Sequence, residues 1–153
     1  MNNAKTLTIA DVMNKSVISV DASLTVNEAA KMMEDARVGA VMVMENNTPV
    51  GIVTDRDFAI RVVAHAYQIT TPVKQIMSSP LFSINSDESV RTAADLMYDR
   101  GIRKLPVIDD EKVVGIITAT DIVNLLAVCV EEDMRDMYFH TVVKIFSDYS
   151  PYR

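Results

Sequence analysis

The feature that most constrains this chain is an internal repeat. Gly51-Ile52-Val53-Thr54-Asp55-Arg56-Asp57 returns as Gly115-Ile116-Ile117-Thr118-Ala119-Thr120-Asp121. The register between the copies is constant: Met13 and Met77 are as far apart as Asp57 and Asp121, 121 − 57 = 64. Identical pairs at that spacing include Ser19/Ser83, Asp35/Asp99, Val43/Val107, Val50/Val114 and Ile52/Ile116. A fixed period with positional identity means a duplicated structural unit. The boundaries read as a first motif over 6–69, a second over 70–128 and a tail over 129–153.

Each copy opens on a short segment ending at Met13 or Met77, followed by a β-like run, Val17 to Val20 or Leu81 to Ile84. A helix follows. Thr25 with Glu28 three residues on makes a capping box, and Asp87, Glu88 and Ser89 place acidic and capping groups at the matching end of the second helix. Val26, Ala29, Ala30 and Met33 fall on one helical face, and Val90, Ala93, Ala94 and Met97 repeat it, so both sets are expected to be buried. Met32 and Leu96 are further apolar positions off that face, suited to a helix–helix contact. Two strands then flank the polar turns at 45–49 and 109–112, and lead into the Thr-x-x-Asp elements. A helix from about Asp55 to Tyr67 closes the first copy, and Thr70-Thr71-Pro72 marks the linker. The order β-α-β-β-α, given twice, predicts an α+β fold. From Thr120 to Tyr149 there is no Gly or Pro, and Met134, Met137, Tyr138, Thr141, Val142 and Ile145 share a stripe, which predicts a C-terminal amphipathic helix outside the repeat.

Composition narrows the functional classes. The chain has 153 residues and 49% apolar content, enough for a packed core. Cys129 is the only cysteine, so neither an intrachain disulfide nor a Cys-based metal site can form, and a reducing, cytoplasmic setting is expected. No basic segment leads into an apolar run as a secretion signal would, and no stretch has the length to cross a bilayer. A net charge of −6 argues against nucleic-acid or anionic-membrane partners, yet leaves room for a small anion held by local Arg and Lys.

Taken together, Asp11-Val12-Met13, Gln75-Ile76-Met77, the Gly-Ile-Arg-Lys-Leu-Pro-Val run at 101–107 and the paired Gly-Ile-[Val/Ile]-Thr-x-x-Asp endings resemble a tandem pair of cystathionine-β-synthase (CBS) domains, a Bateman module. The resemblance covers about residues 6 to 128. It implies two β-α-β-β-α motifs related by a pseudo-twofold axis. It also implies clefts between the motifs that bind adenosine-containing ligands (AMP, ADP, ATP or S-adenosylmethionine), a regulatory rather than catalytic role, and a homodimer.

The residues themselves fit such a ligand. A carboxylate can accept from both ribose hydroxyls, so Asp57 and Asp121 suit that part, and Thr54 and Thr118 stand at helix starts, where free N–H groups favour phosphate. Thr-x-x-Asp is equally a capping box, which alone would account for both pairs. Carried over by resemblance, one cleft joins Thr54, Arg56 and Asp57 with Phe82, Ser83, Ile84, Ile102, Arg103 and Lys104. The other joins Thr118 and Asp121 with Ser16, Ile18, Ser19, Val20, Val38, Gly39 and Ala40. The first set collects Arg56, Arg103 and Lys104 and is expected to prefer phosphorylated ligands.

Other candidates are weaker. His65 and His140 lack ligand spacing, Cys129 reads as a small buried hydrophobe, and Arg61 and Lys112, which could approach a phosphate, read rather as solvated charge. No nucleophile–base pair, Walker loop or dinucleotide fingerprint is present, so no catalytic residue, metal or required cofactor is expected, only an adenosine nucleotide as regulatory ligand. The competing reading is a structural module with empty or vestigial clefts, using the tail and the Met32/Leu96 surfaces for dimerisation or for docking a regulated protein.

Overall fold

The computed structural model describes residues 7–128; the tail over 129–153, with its expected stripe and with Cys129 and His140, lies outside the described residues. The fold is α+β, in the order α1 (Ile9–Val12), β1 (Ser19–Asp21), α2 (Val26–Ala36), β2 (Ala40–Glu45), β3 (Thr48–Thr54), α3 (Asp55–Asp57), α4 (Val90–Arg100), β4 (Lys104–Asp109), β5 (Lys112–Thr118) and α5 (Ala119–Val128). It divides into two compact units. The first comprises Ser16–Phe82 with the turn Asp110–Val113, and the second takes, of the described residues, 7–15, Ser83–Asp109 and 114–128.

In the first unit β1 runs parallel to β2, which pairs antiparallel with β3; Ser19 stands opposite Met42 and Val41 opposite Val53. The hairpin turns on Asn46 and Asn47 at φ 50° and 63°, the pair of left-handed residues that a two-residue turn needs to match strand twist. Runs of consecutive buried residues in β2 and β3 put apolar side chains on both faces. The α2 capping box forms as expected: Thr25 N–H donates to Glu28 Oε2 at 3.0 Å and Glu28 N–H donates to Thr25 Oγ1 at 3.3 Å. The Thr25 hydroxyl, with its backbone N–H, holds the Glu28 carboxyl below its ordinary range. Val26, Ala29 and Met33 are buried, but Ala30 is exposed, contrary to the expectation from spacing. Its counterpart Ala94 is buried in the second unit, where α5 packs against α4.

The second unit repeats the plan with less sheet. β4 pairs with β5, and Ile84 supplies one parallel bridge to Val107 where the first unit has a whole strand. The turn joining β4 to β5 uses Asp110 and Glu111 at φ 47° and 64°. The closing helices differ too. α5 is a regular α-helix, whereas the run expected to be helical from Asp55 to Tyr67 makes one α turn and then winds as a π-helix over Phe58–Val63. Ala64 N–H reaches back five residues to Ala59 O at 3.2 Å, and Tyr67 N–H to Val62 O at 3.0 Å. This wider winding accompanies a tether through Arg61, described below, that α5 lacks.

The compact units do not coincide with the sequence repeats, because the leading segments are exchanged. The segment around Pro72 folds back onto the repeat that precedes it: Val26 N–H donates to Thr71 O, Val73 N–H to Leu24 O and Lys74 N–H to Ala22 O, at 2.8, 2.8 and 3.2 Å. The N-terminal segment makes the shifted set with the second repeat, Ile9 N–H to Glu88 O and Ala10 N–H to Ser86 O, both at 2.9 Å. Val73 and Ile76 enter the first unit's core and Ile9 the second's, each at 0% exposure. Full burial of such an aliphatic side chain contributes about 1.5–3 kcal/mol.

Glycine makes the exchange possible. A Cβ at Gly51 would lie 2.5 Å from Met77 Sδ and 3.0 Å from Ser78 O; one at Gly115 would lie 2.5 Å from Met13 Sδ and 3.0 Å from Asn14 O. Each Met lies across a bare strand position. The residue after it then bridges the strand: Ser78 N–H donates to Ile52 O and Asn14 N–H to Ile116 O, both at 2.9 Å. The C-caps of α2 and α4 show a further asymmetry. Gly101 ends α4 at φ 63°, but Arg37 ends α2 at φ 53°, a left-handed conformation that a side chain strains.

Two predictions follow from these contacts. Gly51→Ala is expected to destabilise by about 1–3 kcal/mol through overpacking, and Met77→Ala in the same chain to recover part of it. A double-mutant cycle in urea checks this; strictly additive losses would count against the contact. Arg37→Gly is expected to stabilise by about 1 kcal/mol, a Tm rise of about 2–4 °C by calorimetry, with Gly101→Arg moving the opposite way.

Candidate ligand-binding turns

The chemistry concentrates where β3 passes into α3 and β5 into α5. Both junctions are fixed by the same internal bonds. Thr54 donates to Asp57 Oδ2 from its backbone N–H at 2.8 Å and from its hydroxyl at 2.9 Å. Thr118 donates likewise to Asp121 Oδ2 at 2.8 and 2.7 Å, and Asp121 N–H returns a bond to Thr118 Oγ1 at 3.1 Å. The capping role foreseen for Thr-x-x-Asp is therefore real. It occupies one carboxylate oxygen in each turn and leaves the other, Oδ1, to be accounted for.

The two Oδ1 atoms differ. Arg61 Nε stands 3.4 Å from Asp57 Oδ1, and Asp57 is 8% exposed. The same guanidinium donates to Ile76 O at 2.6 Å and to Ser78 Oγ at 3.1 Å. Asp121 is half-buried, and its Oδ1 takes no bond from any described residue. Reading Arg61 as solvated charge missed this tether. The signal was available: Asp57 and Arg61 are four apart on a helix, and the matching position of the second repeat is Leu125.

Three N–H groups of the first turn are engaged within the chain. Thr54 N–H serves Asp57, Asp55 N–H donates to Gly39 O at 3.2 Å, and Arg56 N–H to Asp55 Oδ1 at 2.9 Å. At the second turn Ala119 N–H donates to Arg103 O at 2.9 Å.

Sheet pairing places the other site residues. Within the first unit Ala40 pairs with Thr54, so 38–40 flank the Thr54–Asp57 turn, and Ile18 O accepts from Met42 N–H at 2.8 Å as the chain enters β1. Val20 is buried, Ile18 half-buried, and Ser16 and Ser19 are exposed. Within the second unit Arg103 and Lys104, both half-buried, flank the Thr118–Asp121 turn alongside Ile102. Within the first unit the exposed Arg56 belongs to the Thr54 turn itself. Ile84 is buried in the second unit's core, while Phe82 and Ser83 are exposed.

Remaining candidates sort by contact. His65 is exposed and lies beside Tyr67, ring centroids 6.3 Å apart. Met32 is 38% exposed, but Leu96 is half-buried against the second unit's core, so the two do not form equivalent outer surfaces. Among the described residues no group of three or more His, Cys, Asp or Glu could hold a metal, and no helix is long and apolar enough to cross a membrane.

Known proteins fit this picture. The CBS protein "CBS domain-containing protein YhcV" of Bacillus subtilis is 38% identical over 114 residues, covering 74% of this chain and 81% of its own length. A crystal structure of an uncharacterized conserved protein from Pyrococcus horikoshii aligns with TM-score 0.77 at 26% identity, over 82% of this chain and 96% of that one. The CBS domain pair of protein MJ0100, crystallised with 5′-methylthioadenosine and S-adenosyl-L-methionine, aligns with TM-score 0.73 at 28% identity, over 80% and 97%. The CBS domain family model matches residues 9–64 and 73–128, one match on each repeat. With both repeats matched and each closing on its Thr-x-x-Asp turn, this chain belongs to the CBS domain family as a tandem pair.

Proposed function

We propose that this CBS pair is a regulatory module that binds an adenosine-containing ligand at its closing turns and reports occupancy by a change of conformation. The observation that carries the reading is the Asp121 carboxylate. Oδ2 is spent on Thr118, which fixes the group's orientation, and Oδ1 is left without a donor among the described residues. An oxygen so placed accepts from a vicinal diol, and a charge-assisted bond of this kind is stronger than a neutral one. The ligands crystallised with the MJ0100 pair, 5′-methylthioadenosine and S-adenosyl-L-methionine, both carry that diol.

In this reading Thr54, Asp57, Thr118 and Asp121 hold the ribose end. Arg56, Arg103 and Lys104 meet phosphate where the ligand has it. Ser16, Ile18, Ser19, Val20, Val38, Gly39, Ala40, Phe82, Ser83, Ile84 and Ile102 line the base. The module performs no chemistry of its own. Binding to one conformation in preference to another shifts the population that a partner protein recognises. Self-association is proposed through the exposed apolar residues of the first unit's closing helix, Ile60 and Val63, at 52% and 76% exposure.

A thermal-shift panel of AMP, ADP, ATP, NAD and S-adenosylmethionine tests the reading. A ligand at a hundred times its Kd adds about 2.7 kcal/mol, so at least one should raise Tm by about 5–10 °C. Asp121→Asn should weaken that ligand by roughly 10- to 100-fold, the worth of a hydrogen bond to a charged group. A flat panel would leave only the structural module.

A further inference from the structure

We infer that Arg61 sets the difference in ligand affinity between the two closing turns, making the Thr54–Asp57 turn the weaker ribose acceptor. The inference rests on the ligand reading above and concerns the same carboxylates.

The guanidinium is held at three points. Nε faces Asp57 Oδ1 at 3.4 Å, and the two terminal nitrogens donate to Ile76 O at 2.6 Å and Ser78 Oγ at 3.1 Å. Two of these anchors are neutral groups of the segment that folds back after the first repeat. They keep the guanidinium over the carboxylate whether or not a ligand is near. Asp57 Oδ2 already accepts twice from Thr54. A ribose diol approaching Asp57 therefore meets an oxygen whose charge is matched, and one that is covered, since Asp57 is 8% exposed. Binding there requires the diol to displace Arg61 from Oδ1 while Arg61 stays tethered beside it. Among the described residues nothing of the kind guards Asp121. Leu125 stands in place of Arg61, packed against the core, and carries no donor. Val12 and Asn14 stand in the places of Ile76 and Ser78.

This assignment gives signs that a merely structural arginine would not. Titration calorimetry with AMP isolates each turn in the full-length chain: Asp121→Asn leaves the Thr54 turn, and Asp57→Asn leaves the Thr118 turn. In the Asp121→Asn chain, Arg61→Leu should tighten AMP about tenfold, Arg61→Lys should leave it near the starting value, and Ser78→Ala, which removes one anchor without touching Asp57, should tighten it by a smaller factor. In the Asp57→Asn chain, Leu125→Arg should weaken AMP about tenfold. Should Arg61→Leu fail to fold, the Ser78→Ala and Leu125→Arg arms decide. Unchanged or weaker AMP binding on loss of Arg61 or of its Ser78 anchor would overturn the assignment and make Arg61 a positioning or phosphate-binding group. If the unmutated chain binds AMP, that result sinks the Arg61 assignment alone. If it binds none of the panel ligands, both readings fall together.

Discussion

A methionine lying across a glycine holds each half of this protein together. Met77 covers Gly51 and Met13 covers Gly115, each within a distance that any Cβ would violate. The contact does more than fill space. It lets the following residue bridge the neighbouring strand, so the segment adds backbone bonds as well as apolar burial. Without a bare position on the strand, the segment could not lie flat. Val73 and Ile76 would lose their place in one core, and Ile9 its place in the other. The Gly-Ile-[Val/Ile]-Thr ending and the Met-terminated leading segment look like separate motifs in sequence. They are the two sides of one contact.

That strand then delivers the ligand chemistry. Its last residue, Thr54 or Thr118, caps the helix that follows, and the cap is built from the carboxylate proposed to hold ribose. Thr-x-x-Asp is a cap in both copies, and the cap engages only one oxygen of the carboxylate. Two donors from the threonine lock Oδ2 and with it the plane of the carboxylate. Oδ1 is then presented in a fixed direction. A cap that holds one oxygen is what preorganises the other, and a preorganised acceptor loses little on binding.

Much of the fold was legible because period and pattern report local structure. The capping box at Thr25, the shared face of Val90, Ala93, Ala94 and Met97, and both polar turns follow from spacing that each segment carries within itself. The exchange of leading segments was not legible, and the reason is symmetry. When the segment at 8–14 and the segment at 72–78 are equivalent, either can serve either sheet, and the sequence signal is the same in both arrangements. Ala30 shows the same limit from another side. Its spacing matches that of Ala94, but burial depends on what packs over it: α5 packs against α4 in the second unit, while Ala30 is exposed in the first. The caps at Thr54–Asp57 and Thr118–Asp121 were legible because a cap is a spacing. That Arg103 and Lys104 lie beside the Thr118 turn within their own unit is not carried by spacing, since which strand a residue pairs with is a tertiary fact.

Arg61 shows where two copies of one unit can diverge. The methionine–glycine contact is needed twice, so both copies keep it. The threonine–carboxylate cap is needed twice, and both keep that too. The position four residues after the carboxylate belongs to neither constraint. One copy carries an arginine there and the other a leucine that completes the core. The arginine joins the closing turn to the folded-back segment through Ile76 and Ser78, the segment whose methionine covers Gly51. In the first unit, the carboxylate proposed to sense ligand and the contact that holds the sheet are therefore linked by a single side chain. In the second unit Leu125 makes no such link. A disturbance at Asp57 has a direct path into the packing of its own unit, while one at Asp121 has none through this position. Duplication has kept the parts that fold the protein alike and has let the connection between site and scaffold differ.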